Sequence, residues 1–175
     1  MLSYLAPDYY FNTFDEIPPE LLVSLGCKYL FSDVDNTLAP YEVAEPDERI
    51  RSWINAVSAA GITVILVSNN GPERIELFNR TLGVRAYADC KKPTRKRLGA
   101  IMRDLGAVGE NSVFLGDQIY TDVLSARRLR ARAAILVPPI RDKRSLFFRF
   151  KRFMERPVMW RFRRIQAGKM NGKNA

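Results

Sequence analysis

The chain has 175 residues, of which 47% are apolar, so it is long enough and apolar enough to fold around a core of its own. It contains no histidine and only two cysteines, which excludes serine–histidine and cysteine–histidine catalysis and every histidine-ligated metal site. The net charge of +9 is uneven, because residues 1–140 hold 16 Lys and Arg against 17 Asp and Glu, whereas residues 141–175 hold 12 against 2.

These features narrow the setting in which we expect the protein to work. No run of about 18 uncharged apolar residues occurs, so no bilayer-spanning helix is predicted. We see no export signal, and Cys27 and Cys90 are too few for a disulfide framework, so a cytoplasmic protein with buried thiols is expected. The basic C-terminal segment calls for an anionic partner: phospholipid, nucleic acid or an acidic protein surface.

Short β-branched segments alternate with helical patterns along the middle of the chain. Strands are predicted over Lys28–Ser32, Thr63–Val67, Val84–Ala88, Ser112–Leu115 and Ala133–Val137, and helices over 46–60, 72–82, 94–105 and 121–129. This alternation predicts an α/β fold, a three-layer sandwich around a mostly parallel sheet. We divide the chain into an N-terminal extension (1–27), the α/β domain (28–140) and a tail (141–175). The aromatic and apolar residues of the extension either cover an edge of the sheet or add to a lipid-facing surface.

The tail has the pattern of a basic amphipathic helix. One face carries Leu146, Phe147, Phe150, Phe153 and Met154, and the other carries arginines and lysines. Such a helix, rich in Phe and Trp, is typical of elements that lie on a membrane surface. An ordinary helix that packs its Phe stripe on the sheet, and an RNA-binding segment, are the alternatives.

Polar residues follow four of the predicted strands. In a parallel sheet ligands bind beyond the carboxyl ends of the strands, so we expect these residues to meet. Crowded carboxylates repel one another and imply a bound cation, and hard oxygen ligands favour Mg²⁺. A serine and a lysine beside that cation would suit a phosphate group. The segments are Asp33-Val-Asp35-Asn-Thr37, Ser68-Asn69-Asn70, Lys91-Lys92-Pro93 and Gly116-Asp117 with Asp122.

Other phosphate- and metal-binding motifs fail. An EF-hand that began at Asp33 would need Gly and Glu where Leu38 and Ala44 stand. A cysteine phosphatase would need Arg six positions after Cys27 or Cys90, but Asp33 and Lys96 stand there. No G-x-G-x-x-G and no Walker A sequence is present.

The four segments together resemble the motifs of the haloacid dehalogenase (HAD) superfamily of aspartate-nucleophile phosphatases. The first is similar to D-x-D-N-T-L, the second to a strand that ends in Ser, the third to Lys-Pro and the fourth to G-D-x-x-x-x-D. The chain resembles the capless class (subclass III) most, and within it the YqeG-type phosphatases and their mitochondrial relatives, which act on phosphatidylglycerophosphate. Only 35 positions separate Asp33 from Ser68 and 24 separate Ser68 from Lys92, so neither gap holds a cap domain.

The resemblance implies a role for each motif residue. It implies a nucleophile at Asp33, a general acid and base at Asp35, and a cationic side chain at Lys92 that neutralises the nucleophile and the phosphate. Ser68, Asn69 and Lys92 would contact substrate. Mg²⁺ would be held by Asp33, the backbone carbonyl of Asp35, and Asp117, while Asp122 orients Lys92 or a metal-bound water.

We therefore expect a Mg²⁺-dependent phosphomonoesterase, peripheral on the inner membrane face, that converts phosphatidylglycerophosphate into phosphatidylglycerol. The first alternative keeps the chemistry but uses a soluble, protein or nucleotide phosphate. The second is a basic RNA- or ribosome-associated binding module with a vestigial site. The intact motifs argue against that second alternative.

Overall fold

A computed structural model describes residues 2–141, 157–160 and 162. Its centre is a six-stranded parallel sheet in the order β1-β6-β5-β2-β3-β4. The strands are β1 (Tyr9–Tyr10), β2 (Tyr29–Ser32), β3 (Thr63–Val67), β4 (Arg85–Tyr87), β5 (Ser112–Gly116) and β6 (Ala133–Leu136). The five strands predicted from the sequence lie within two residues of these bounds, and the two-residue β1 is additional.

Helices connect the strands. They are α1 (Pro19–Ser24), α2 (Glu48–Ala59), α3 (Pro72–Asn79), α4 (Arg95–Asp104) and α5 (Leu124–Arg128). A wider π-helical turn over Ile119–Val123 leads into α5, where the sequence predicts one helix from residue 121. Asp47 caps α2, because its carboxylate accepts a hydrogen bond from the Ile50 amide at 2.9 Å.

The two faces of the sheet pack against different helices. Along β2 and β3, alternate residues point to opposite faces, so Leu30 and Val64 belong to one buried cluster and Phe31 and Ile65 to the other. The first cluster contains Trp53 of α2 and side chains of α3, and the second contains side chains of α4 and α5. This is the three-layer α/β sandwich that the sequence predicts.

The N-terminal segment is part of this packing. β1 pairs in parallel with β6 and so covers that edge of the sheet, which is one of the two roles considered for the segment. Phe14, Ile17 and Leu22 are fully buried in the first cluster. The indole nitrogen of Trp53 donates a hydrogen bond to the Ile17 carbonyl at 3.0 Å, which ties the segment to α2.

Part of the basic tail also contacts the domain. Residues 157–160 and 162 are helical, and Val158 and Phe162 are buried in the second cluster. The predicted amphipathic helix with Leu146–Met154 on its apolar face lies outside the described residues. Among the helices that the structure describes, none combines the length and the apolar character needed to cross a bilayer.

Candidate active site

The site lies where the direction of strand order reverses. From β2 the chain adds β3 and then β4 on one side of the sheet, and later places β5 and β6 on the other. At the carboxyl ends of β2 and β5, the loops that follow these two strands therefore run in opposite directions and leave a crevice between them. All four motif segments reach this edge, because each follows one of the strands β2, β3, β4 or β5.

Asp33 is the first residue after β2 and is buried. The loop that follows it turns back tightly, with Asn36 in the left-handed region at φ 66°. Asn tolerates this conformation better than most residues do. The turn brings the Thr37 hydroxyl to 2.9 Å from Asp33 Oδ2, to which it donates a hydrogen bond. One oxygen of Asp33 is thus held by the loop itself.

Lys92 holds the other oxygen of Asp33. Its Nζ donates to Asp33 Oδ1 at 2.6 Å, to Asp122 Oδ1 at 2.7 Å and to the Val67 carbonyl at 3.0 Å, which uses all three ammonium hydrogens. The neighbouring Lys91 is exposed, so the structure places in the site the lysine that precedes proline. Lys92 is thus a fixed cation between two carboxylates.

Asp122 is positioned by the turn after β5. Its Oδ2 accepts hydrogen bonds from the Gln118 amide and the Thr121 hydroxyl, both at 3.1 Å, which leaves Oδ1 to Lys92. This arrangement requires glycine at position 116, because a Cβ there would lie 2.2 Å from the carboxyl carbon of Asp122. The Gly and the second Asp of the fourth motif are therefore linked by packing.

Burial sets the protonation behaviour of this cluster. Burial raises the pKa of Asp33 from 3.8 to about 6; Lys92 opposes the rise, and Asp122 adds to it. Burial alone would lower the pKa of Lys92, but the carboxylates of Asp122 and Asp33 outweigh it and raise that pKa overall. Lys92 is therefore charged at any physiological pH. A further cation close to Asp33 would stabilise its ionised form and so lower its pKa.

The carboxylates also suit a divalent metal. Asp33, Asp117 and Asp122 each place one carboxylate oxygen so that all three oxygens lie within 4.8 Å of one another, and all three residues are buried. Buried carboxylates of this kind need a cation, and an oxygen-only donor set fits a hard ion. Two of the three, Asp33 and Asp117, are predicted ligands, whereas Asp122 Oδ1 is already bound by Lys92.

Asp35 lies in a separate ring of donors. Asn70 Nδ2 donates to its Oδ2 at 2.6 Å and the Ser68 hydroxyl donates to the same oxygen at 3.3 Å. Arg74 Nε donates to Oδ1 at 3.1 Å. Sequence reasoning missed Arg74, which belongs to no motif segment, and it assigned no contact to Asn70, although that residue lies in the second segment. The one available signal is position: Arg74 lies in the first turn of α3, directly after the Ser68-Asn69-Asn70 segment.

Asn69 contacts the lysine loop. Its side chain accepts from the Lys92 amide at 2.7 Å and donates to the Lys92 carbonyl at 3.1 Å. These bonds fix the backbone of Lys92 beside β3. The predicted contact of Asn69 with substrate stays a prediction, as does that of Ser68, whose hydroxyl is engaged with Asp35 and accepts from the Asn70 amide at 3.0 Å.

Comparisons with known proteins agree with this geometry. Residues 89–138 match the HAD-hydrolase-like family. The chain is 31% identical over 157 residues to the probable phosphatase YqeG of Bacillus subtilis (strain 168), an alignment that covers 90% of this chain and 91% of that protein. The chain therefore belongs to the HAD superfamily, among its capless, YqeG-type phosphatases.

Solved structures show the same fold at lower identity. The hypothetical protein XCC2798 of Xanthomonas campestris has a TM-score of 0.53 and 18% identity, with 72% of each chain covered. The cobalt-bound deoxy-D-mannose-octulosonate 8-phosphate phosphatase (YrbI) of Haemophilus influenzae also has a TM-score of 0.53, with 15% identity over 73% of this chain and 75% of that chain. HAD phosphatases use a divalent metal, and in this chain the buried aspartates are the candidate ligands for one.

Proposed function

We propose that the protein is a Mg²⁺-dependent phosphomonoesterase that forms an aspartyl phosphate on Asp33 and converts phosphatidylglycerophosphate into phosphatidylglycerol at a membrane surface. The observation that carries the chemistry is the buried cluster in which Lys92 bridges Asp33 and Asp122 beside Asp117. A buried carboxylate that a cation holds in place, at the carboxyl edge of a parallel sheet, is arranged to act as a nucleophile.

In the first step a carboxylate oxygen of Asp33 attacks phosphorus, and the bond from phosphorus to the leaving oxygen breaks. Asp35, two residues further along the same loop, enters this step in its protonated form and gives its proton to that oxygen, so the alcohol leaves neutral. The ammonium of Lys92 lies 2.6 Å from Asp33 Oδ1 and offsets the negative charge that gathers as the two anions meet.

In the second step water attacks the aspartyl phosphate. Asp35 takes one proton from that water, the bond from phosphorus to the Asp33 oxygen breaks, and phosphate leaves, so Asp33 returns to its carboxylate form and Asp35 to its protonated form. Asp122 keeps Lys92 in position through both steps by its 2.7 Å ion pair. Burial keeps bulk water away from Asp33.

Mg²⁺ fits the acidic donor set and, when bound, supplies charge neutralisation between the phosphate and the carboxylates. Asp33, Asp117 and the backbone carbonyl of Asp35 would hold it. Asp122 is the least suited of the three clustered carboxylates, because Lys92, Gln118 and Thr121 already occupy its two oxygens.

Two features support a lipid substrate. The stretches between the first three motifs form α2, β3, α3 and β4 and contain no inserted domain, so the crevice is open to a large substrate. The 12 lysines and arginines of residues 141–175, against 2 acidic residues, would attract an anionic bilayer. The resemblance to YqeG-type phosphatases and their mitochondrial relatives, which implies this substrate, is a third support.

The enzymatic test is phosphate release from phosphatidylglycerophosphate in vesicles and from sugar, nucleotide and peptide phosphates, with Mg²⁺ and with chelator. We expect release from the lipid, abolished by chelator. Asp33→Asn should lower the rate at least ~10³-fold, which corresponds to about 4 kcal/mol of barrier. Asp15→Asn, at an exposed aspartate outside the site, is the matched control and should keep the full rate. Full activity of the Asp33 variant would exclude it as the nucleophile.

The membrane test is sedimentation with anionic and neutral vesicles at low salt. Because Val158 and Phe162 are buried in the core, the tail should be altered by charge rather than removed. A variant with Lys143, Arg144, Arg149, Lys151 and Arg152 replaced by Gln should lose most of its binding to anionic vesicles. If the unaltered protein stays in solution with anionic vesicles, the membrane proposal is wrong.

A soluble phosphate is the second candidate substrate. The Haemophilus influenzae relative in fold is by its name a phosphatase of a sugar acid phosphate. Comparable rates on soluble phosphates with none on the lipid would favour this candidate. Retention of RNA with no phosphate release from any substrate would instead favour the RNA-associated module.

A further inference from the structure

Arg74 places a second cation at the edge of the site. Its side chain is 13% exposed and its Nη2 lies 3.0 Å from Asp35 Oδ1. The guanidinium carbon lies 5.1 Å from the ring centre of Phe78 and 5.9 Å from that of Tyr41. These contacts fix the group in a slot beside Asp35.

The ion pair with Asp35 uses only part of the guanidinium. The one hydrogen bond to this carboxylate comes from Nε. Both terminal nitrogens of Arg74 are buried and make no hydrogen bond with the described residues: Nη2 keeps its 3.0 Å ionic contact with Asp35 Oδ1 without hydrogen-bond geometry. A guanidinium has five N–H donors, and leaving charged donors unused in a buried place is costly. Arg74 therefore has donor capacity that the folded protein does not use.

The position of Asp35 tells which part of a substrate would meet these donors. In the proposed reaction Asp35 protonates the leaving oxygen, so the alcohol extends from Asp35 outward. Arg74 reaches Oδ1 of Asp35 from the first turn of α3, so its guanidinium lies directly beside the group that protonates the leaving oxygen. A group carried a few bonds beyond the leaving oxygen would thus come close to the guanidinium.

We infer that Arg74 selects phosphomonoesters whose alcohol carries a second anionic group near the ester, a phosphodiester or a carboxylate. This inference rests on the proposed function. It fits phosphatidylglycerophosphate, whose leaving alcohol carries a phosphodiester. The half-exposed Tyr41 ring, whose centre lies 5.9 Å from the guanidinium carbon, marks the side on which Arg74 is nearest to solvent.

The test compares three soluble substrates with the full chain and Mg²⁺. They are glycerophosphoglycerophosphate, which has a phosphodiester, 3-phosphoglycerate, which has a carboxylate, and glycerol 3-phosphate, which has no second anion. We measure kcat/KM for each with the unaltered protein, Arg74→Met, Arg74→Lys and Arg80→Met. Arg80 follows α3 and pairs with Glu45 at the surface, so its variant is the matched control for loss of one positive charge.

The ratio of kcat/KM between substrates is decisive. A general disturbance of Asp35 lowers kcat/KM for all three substrates by the same factor, which cancels in the ratio. For the unaltered protein and Arg80→Met, we expect kcat/KM to be ~10-fold or more higher for at least one of the two substrates with a second anionic group than for glycerol 3-phosphate. Whichever of the two is preferred identifies the second anion. Arg74→Met should reduce the preference to less than ~3-fold, and Arg74→Lys should fall between, since lysine keeps the charge without the planar fork.

Three results would overturn the inference. They are the absence of any preference in the unaltered protein, a preference that survives in Arg74→Met, and a preference lost equally in Arg80→Met. In all three the phosphatase proposal stands. If the protein hydrolyses phosphatidylglycerophosphate in vesicles but none of the three soluble substrates, the inference fails and the proposed function stands. If it hydrolyses neither the lipid nor any soluble substrate, the proposed function fails as well. Should Arg74→Met be inactive or unfolded, the ratio in Arg74→Lys decides in the same way.

Discussion

Replacing Lys92 by methionine tests the buried ion cluster most directly. The change keeps a long, flexible side chain but removes the ammonium that contacts Asp33, Asp122 and the Val67 carbonyl. Two buried carboxylates then lose their cation. Breaking a buried ion pair by removing one partner costs about 3–5 kcal/mol, a large fraction of the roughly 5–15 kcal/mol that stabilises a domain.

The assay is urea unfolding followed by circular dichroism, with chelator present so that no metal replaces the lysine. We expect Lys92→Met to lose about 3–5 kcal/mol at pH 7.5 and Lys91→Met, at the exposed neighbour, to change by less than about 0.5 kcal/mol. The double variant Lys92→Met with Asp122→Asn should regain part of the loss, because one of the uncompensated charges is gone.

The pH dependence separates charge from packing. Lys92 lowers the pKa of Asp33, so without it Asp33 takes up a proton in the folded state at a higher pH. The deficit of Lys92→Met should therefore shrink as the pH falls toward 5. A loss below about 1 kcal/mol at pH 7.5, or one independent of pH, would refute the electrostatic account.

Three further predictions follow from the same residues. The folded-state pKa of Asp33, about 6, lies above its unfolded value of 3.8, so the contribution of Asp33 to the free energy of unfolding falls as the pH rises through this window, by up to about 3 kcal/mol. Without metal, Asp33→Asn should therefore melt no lower than the unaltered protein at pH 7.5 and should lose any advantage at pH 4. A lower melting temperature of the variant at pH 7.5 would contradict this. Metal must displace the Asp33 proton, so the Mg²⁺ concentration for half-maximal activity should rise up to ~10-fold per unit below about pH 6; a constant value there would argue against Asp33 as a ligand. Gly116→Ala places a Cβ 2.2 Å from the Asp122 carboxyl carbon, so activity should fall at least ~10-fold, whereas Gly99→Ala, whose Cβ would meet its nearest atoms at 3.7 Å, should stay active; equal activity of the two variants would show that Asp122 can shift without harm.

Local sequence patterns were enough to place the strands that carry the site. The runs Thr63–Val67 and Ser112–Leu115 are short, β-branched or apolar, and bounded by turn residues, so their length and composition mark them as buried strands. The choice of Lys92 over Lys91 also followed from the sequence, because the next residue is proline. β1 was missed as a strand, since two residues, Tyr9 and Tyr10, are too few to show any period.

The sequence by itself determined which residues end each strand, and through the order of strands and helices that these ends share one edge of a parallel sheet. Only the tertiary structure decided which side chains touch there. Arg74 and Asp35 are 39 positions apart and Lys92 and Asp122 are 30 apart, and nothing local to either pair marks its partner. Contacts of this kind depend on how α3 and the turn after β5 pack on the sheet. That packing is set by the shape of the whole core, to which many distant residues contribute and which no local pattern encodes.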